Sequence, residues 1–107
     1  MDNWRLNHLQ ELLNEDPKDE FVLYALAQEY TKLEDLDQAL VHYIRLKKVN
    51  ADYVGMYYHL AALYLELEKE EEALATYVEG IDIAQRLGDH HALSELKNAK
   101  TNFELGL

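Results

Sequence analysis

The sequence predicts an all-α protein of about six helices packed as antiparallel pairs. Three observations lead there. The 107 residues include only four glycines and a single proline, Pro17, whereas an all-β chain needs many tight turns, and glycine and proline are their usual residues. Leu, Ala, Glu and Lys, all good helix formers, recur throughout. Apolar residues fall three and four positions apart, the spacing that gathers them on one helix face, and one set of them recurs at a fixed interval.

Leu6, Leu9 and Leu12 mark a first helix near residues 3–15. Leu23, Leu26, Ala27, Tyr30 and Leu33 form the next stripe, predicting a helix near 19–33. Asp35-Leu36-Asp37 interrupts it, and Leu36, Ala39, Leu40, Tyr43, Leu46 and Val49 begin another, near 36–49. So short a link makes the two helices antiparallel neighbours. Tyr57, Leu60, Ala61, Tyr64 and Leu67 predict a helix near 53–67. Glu70-Glu71-Glu72 opens the next, near 70–87, with Ala73, Leu74, Tyr77, Ile81 and Ala84 on its stripe. Acidic residues in a first turn suit the positive end of the helix dipole, so these glutamates read as helix-start chemistry rather than a cation site. A turn at Gly88-Asp89 precedes a last helix near 90–104, marked by Ala92, Leu93, Leu96, Ala99 and Phe103.

The fixed interval is 34 residues. Leu26, Ala27, Tyr30, Leu33, Ala39, Leu40 and Tyr43 recur as Leu60, Ala61, Tyr64, Leu67, Ala73, Leu74 and Tyr77. With these residues the sequence resembles the tetratricopeptide-repeat family, whose pattern is Trp, then Leu-Gly three residues on, then Tyr, with a later Ala-x3-Phe and a Pro. The copies read Leu23-x2-Leu26-Ala27-x2-Tyr30 with Ala39-x3-Tyr43, and Tyr57-x2-Leu60-Ala61-x2-Tyr64 with Ala73-x3-Tyr77. Ala51 and Gln85 stand at the Pro position and depart from the pattern; Pro17 holds that place for an earlier, partial copy. Leu6, Leu9 and Leu12 lie 34 residues before Leu40, Tyr43 and Leu46, so the first helix resembles the second helix of a repeat, with Arg5 where the small Ala would be. The resemblance implies a right-handed superhelical stack forming one domain over 1–107. It divides into a half-repeat at 3–18, repeats at 20–53 and 54–87, and a capping helix within 88–107. Ala27, Ala39, Ala61 and Ala73 would sit where paired helices approach closely. The last segment leaves the register, since Ser94, Glu95 and Asn98 replace Leu60, Ala61 and Tyr64, so its helix is expected to be oriented unlike a third repeat. Gly80, in the place of Leu46, would leave room for it.

Charge and composition narrow the function. With 21 acidic against 10 basic residues the formal net charge is −11, which repels phosphate backbones and anionic lipid; neither nucleic acid nor membrane is expected as a partner. The same acidity also serves solubility. No cysteine is present, which removes disulfides, thiol nucleophiles and Cys-based zinc sites. Met1-Asp2-Asn3-Trp4-Arg5 does not resemble a signal peptide, and a cytoplasmic location is expected. Nothing points to an enzyme, a cofactor or a metal. His90 and His91 are adjacent and diverge on a helix, no His-Glu-x-x-His occurs, and the glycines are isolated. His8 and His42, one interval apart, read as equivalent solvated surface positions.

In tetratricopeptide proteins the first helix of each repeat lines a concave groove where partners dock. By position, the resemblance puts Phe21, Tyr24, Ala25, Gln28, Thr31 and Lys32 on that face in one copy, and Tyr58, His59, Ala62, Leu65 and Glu66 in the other. Phe21, Tyr24, Tyr58 and Leu65 are large and apolar yet lie off the packing stripes, as binding anchors do. An open groove, self-association and coverage by the capping segments all account for them. Some family members hold a partner's C-terminal carboxylate with Lys, Arg and Asn; Tyr24, Gln28 and His59 stand here instead, against that mode. The expected function is a protein-interaction module binding an unknown protein or peptide, basic with apolar anchors. The alternative is a self-association module, as a homodimer or part of a longer repeat scaffold.

Overall fold

The computed structural model describes residues 3–107; Met1 and Asp2, the start of the segment read above for a leader, lie outside the described residues. Six helices follow in order: α1 (Trp4–Glu15), α2 (Glu20–Lys32), α3 (Leu36–Val49), α4 (Gly55–Glu66), α5 (Glu70–Leu87) and α6 (His90–Glu104). Each lies within two residues of its predicted bounds, and no strand occurs among the described residues. No described helix is long and apolar enough to cross a membrane. The chain divides into two compact units, one through Ala51 and one over Asp52–Leu107.

In the first unit α2 packs against both α3 and α1. The Asp19 carboxylate accepts the Val22 amide at 3.1 Å and starts α2. The helix ends by the turn it makes after Leu33: Glu34 takes φ 60°, and the Asp35 amide reaches back to the Tyr30 carbonyl at 3.0 Å, satisfying carbonyls that the helix end leaves over. Asp35 then caps α3 through the Gln38 amide at 3.3 Å. Ala27 and Ala39 are fully buried, as are Leu23, Leu26 and Leu46. α1 is held at its start by Asn3, whose side chain accepts the Leu6 amide at 2.9 Å. Arg5, where the repeat has its small residue, lies outside the close contact. Its Nε is 3.2 Å from the Glu29 carboxylate, a residue only 9 % exposed.

The second unit repeats the pair as α4 and α5 and adds α6, which packs against both. The inter-helix turn is the same: Glu68 takes φ 59° and the Lys69 amide bonds the Tyr64 carbonyl at 2.8 Å. Lys69 replaces the capping Asp35 and makes no side-chain cap, while Glu70, Glu71 and Glu72 fill the first turn of α5, where their charge meets the unpaired amides. Ala61 and Ala73 are fully buried. Gly88, at φ 70°, ends α5, and the Asp89 side chain accepts the Ala92 amide at 3.0 Å to start α6.

One expectation is corrected. His8 is exposed, but His42 is buried, not a solvated surface residue, with 7 % exposure. Its Nδ1 lies 2.7 Å from the Gln38 carbonyl and its ring sits 5.1 Å from that of Tyr30. The difference is physical: Tyr30 of α2 lies beside His42, whereas no helix precedes α1 among the described residues. Thr76, one interval after His42, is also buried and donates to the Glu72 carbonyl at 2.7 Å. The position therefore takes a polar residue that can bond back along its own helix.

Burial holds the His42 pKa below its ordinary 6.5; the Gln38 carbonyl opposes that shift and Arg45 adds to it. A depressed histidine pKa means that the unfolded chain takes up a proton before the folded one does. Stability from this group is therefore complete above the unfolded value and declines as pH falls through 6.5 toward the folded value. The melting temperature should drop between about pH 7.5 and about pH 5.5, and the drop should be smaller in His42→Gln. Parallel pH slopes for the two proteins, measured by thermal circular dichroism, would remove His42 from the account.

Candidate functional site

The residues expected on the first-helix faces differ in how far they are available. In the first unit Phe21 is 67 % exposed. Tyr24 is half-buried; its hydroxyl accepts the Gln28 amide at 3.1 Å and its ring meets Tyr43 edge-on at 6.4 Å. Tyr24 and Gln28 thus come together on one face, one turn apart. Thr31 donates to the Ala27 carbonyl at 2.8 Å and also bonds the Tyr43 hydroxyl, whose pKa burial and the nearby Tyr24 push well above 10.0. Thr31 is therefore committed to its own helix and to Tyr43. Ala25 is 5 % exposed, too buried to meet a ligand, and Lys32 is exposed, 3.9 Å from Glu29.

In the second unit Ala62 and Glu66 are exposed, while Tyr58, His59 and Leu65 are half-buried. Tyr58 and His59 meet edge-on at 5.5 Å. Burial lowers the His59 pKa below 6.5, and Glu95 of α6 pulls it partly back. Tyr58 and Leu65 do not form a bare strip. They wall an open cavity of about 380 Å³ with Glu70 and Tyr77 of α5 and with Ala99, Asn102, Phe103 and Leu107. Burial raises the Tyr77 pKa, and the neighbouring Tyr58 adds to it.

The sequence does not assign the walls supplied by α5 and α6 to a site, since Tyr77 falls on the repeat stripe and Phe103 on that of the capping helix. The signal that could have found Phe103 is its place on the α6 stripe at a helix that leaves the repeat register. Among the described residues, no group of three or more histidines and carboxylates converges as a metal site would require; the pair of Arg86 with Asp52 lies on the surface, and the buried Glu29 is paired with Arg5. The usable chemistry is a mixed surface, aromatic and apolar side chains beside Glu70 and Asn102, which suits binding.

Comparison with known proteins bears on this directly. The tetratricopeptide-repeat family model matches residues 22–53 and 54–87. A tetratricopeptide-repeat domain protein from Salinibacter ruber is 43 % identical over 80 % of this chain and 96 % of its own, and its crystal structure superposes with a TM-score of 0.76. A solution structure of such a domain from the same organism gives 44 % identity, coverage of 81 % and 88 %, and a TM-score of 0.77. The crystal structure of MamA shares the fold at 16 % identity, with a TM-score of 0.70 over 90 % of this chain and 63 % of that one. The comparison with curated proteins gave no match.

Proposed function

Because the chain belongs to the tetratricopeptide-repeat family, whose fold typically mediates protein–protein interaction, we propose that it is a non-catalytic module that binds a peptide or protein segment on the first-helix side of its repeats. The observation that carries this reading is the aromatic cavity beside α4. At about 380 Å³ it accommodates one large side chain, and Tyr58, Leu65, Tyr77 and Phe103 give it apolar walls. Glu70 at its edge and the net charge of −11 favour a cation beside that anchor. The ligand is thus a segment with one or two apolar anchors flanked by Lys or Arg. Charge steers such a segment in, and the buried anchor retains it.

Selection of a random peptide library on the immobilised domain, then titration of the enriched peptides, tests the reading. Enriched peptides should carry an aromatic or large aliphatic residue next to Lys or Arg. Truncation of Tyr58→Ala should weaken them by about 2 kcal/mol, roughly thirtyfold, if Tyr58 is a binding hot spot. Raising salt should weaken association in wild type and variant alike, leaving the difference between them. Unchanged affinity in a folded Tyr58→Ala protein would place the binding surface elsewhere.

A further inference from the structure

α5 carries more apolar surface than its neighbours within the second unit use. One side is buried through Ala73, Tyr77, Gly80, Ile83 and Ala84. A second band, Leu74, Val78 and Ile81, follows the i, i+4, i+7 spacing of a helix face, and its centre, Val78, is 52 % exposed. A helix apolar over so much of its circumference can bury its outer band only against a further element.

The surroundings of the band say what that element is. The band lies along an open, shallow surface of α5 with Glu71, Glu79 and Asp82 beside it. A depression of about 370 Å³ continues from it across Val78 and Ile81 to Lys97, Lys100 and Thr101 of α6. Helix geometry of about 100° per residue sets the acidic residues on the side of the band away from α6, so the two edges carry opposite charge. Lys100 also pairs with the exposed Glu104 at 3.1 Å.

We propose that the trench between α5 and α6 is a second docking surface, whose occupant is an amphipathic helix of a partner protein with Lys or Arg along one edge of its apolar ridge and Asp or Glu along the other. A helix fits because the floor is a straight ridge of helical side chains, and from Glu71 to Gln85 it runs about 21 Å, roughly four turns of a docked helix. The ridge of one helix packs in the groove between two others. Basic residues of the occupant meet Glu71, Glu79 and Asp82, and its acidic residues meet Lys97 and Lys100. A second copy of this chain is disfavoured as occupant, because each copy carries −11. α6 separates this surface from the aromatic cavity: Lys97, Lys100 and Thr101 border the one, and Ala99, Asn102 and Phe103 wall the other.

The probe is a synthetic helical peptide with a Leu ridge, Arg on one edge and Glu on the other; its control has Glu on both edges. Titration into isotopically labelled protein should shift the amides of residues 74–85 and 97–101. Val78→Glu, at an exposed position, should weaken the probe at least tenfold, and the control should bind wild type at least tenfold more weakly than the probe does. The double substitution Glu71→Lys, Asp82→Lys should reverse the preference between the two peptides. The proposal is overturned by an absence of shifts at about 1 mM probe, by shifts confined to α4, by indifference to Val78→Glu, or by a preference that does not reverse. It is also overturned if sedimentation shows a wild-type dimer that Val78→Glu dissociates, since the occupant is then a second copy.

Discussion

Ala61→Arg should abolish the cooperative thermal transition of the second unit, while Ala62→Arg, one residue further along the same helix, should melt within about 0.5 kcal/mol of wild type. Both substitutions make the same chemical change on α4, and arginine is close to alanine in helix propensity. Only the surroundings differ. Ala61 is fully buried in the helix that pairs with α5, and Ala62 is exposed. A guanidinium at position 61 has no room for its volume and no partner for its charge, and burying an unpaired charge costs several kcal/mol. The whole stability of a small domain is of the order of 5–15 kcal/mol. Ala61→Leu isolates the volume effect and should cost about 1–3 kcal/mol. The check is a set of denaturant titrations of the three variants beside wild type. Equal midpoints for Ala61→Arg and Ala62→Arg would show that position 61 is not where the paired helices approach closely.

Ala61 illustrates what the sequence makes legible. Periodicity and the 34-residue interval report which positions face a neighbouring helix, and a small residue held at both Ala27 and Ala61 reports a close approach. Helix ends were equally readable, because the residues that stop and start helices are local: Gly88 with Asp89, and the glutamates that open α5. His42 shows the limit. Its burial depends on Tyr30 of another helix, and the interval ties it to His8, which has no such neighbour, as closely as to Thr76, which is buried as His42 is. A single chain's pattern does not say which of the two equivalents is typical.

The candidate site was legible only in part for a related reason. Position in the repeat picks out the first-helix residues, but it does not say which of them hydrogen bonds and packing commit. Thr31 and Ala25 are used by their own unit, whereas Phe21 and Ala62 stay exposed. Nor does it reveal that α6 supplies Phe103 and Asn102 to the cavity at Tyr58, since α6 follows no repeat register. Non-repeating elements are where a repeat protein hides its particular chemistry. The outer band of α5 shows this from the other direction. Leu74 belongs to the repeat pattern, but it is the neighbouring Lys97 and Lys100 of α6 that give the trench its second charged edge.

Gly80→Leu should destabilise the second unit strongly, although it restores the residue that the first repeat carries at Leu46. Helix propensity alone predicts the opposite. Glycine in a helix interior is about 1 kcal/mol worse than alanine, and leucine is nearly as good as alanine. Packing overrides that gain. A Cβ placed on Gly80 would lie 2.6 Å from the Cβ of Tyr57 and 3.1 Å from Cδ1 of Leu96. The Tyr57 Cβ is anchored to its backbone and cannot swing away, so α4 and α5 would have to separate. Tyr57 is itself completely buried, and burial pushes its pKa up to about 12. The expected loss is about 3 kcal/mol or more, beyond the usual range for overpacking because the obstructing atom is fixed. The two repeats divide the same space differently. The first places Leu23 and Leu46 where the second places Tyr57 and Gly80, a large residue on α4 being matched by an absent side chain on α5. Leucine at position 57 would keep the Cβ that obstructs position 80, so Tyr57→Leu should cost stability without relieving Gly80→Leu. Gly80→Ala, which adds only the obstructed Cβ, should already lose much of what Gly80→Leu loses, against the gain of about 1 kcal/mol that helix propensity alone predicts. Denaturant titration of the two variants beside wild type checks this, and a Gly80→Ala protein as stable as wild type would show that the Tyr57 Cβ does not exclude a side chain there.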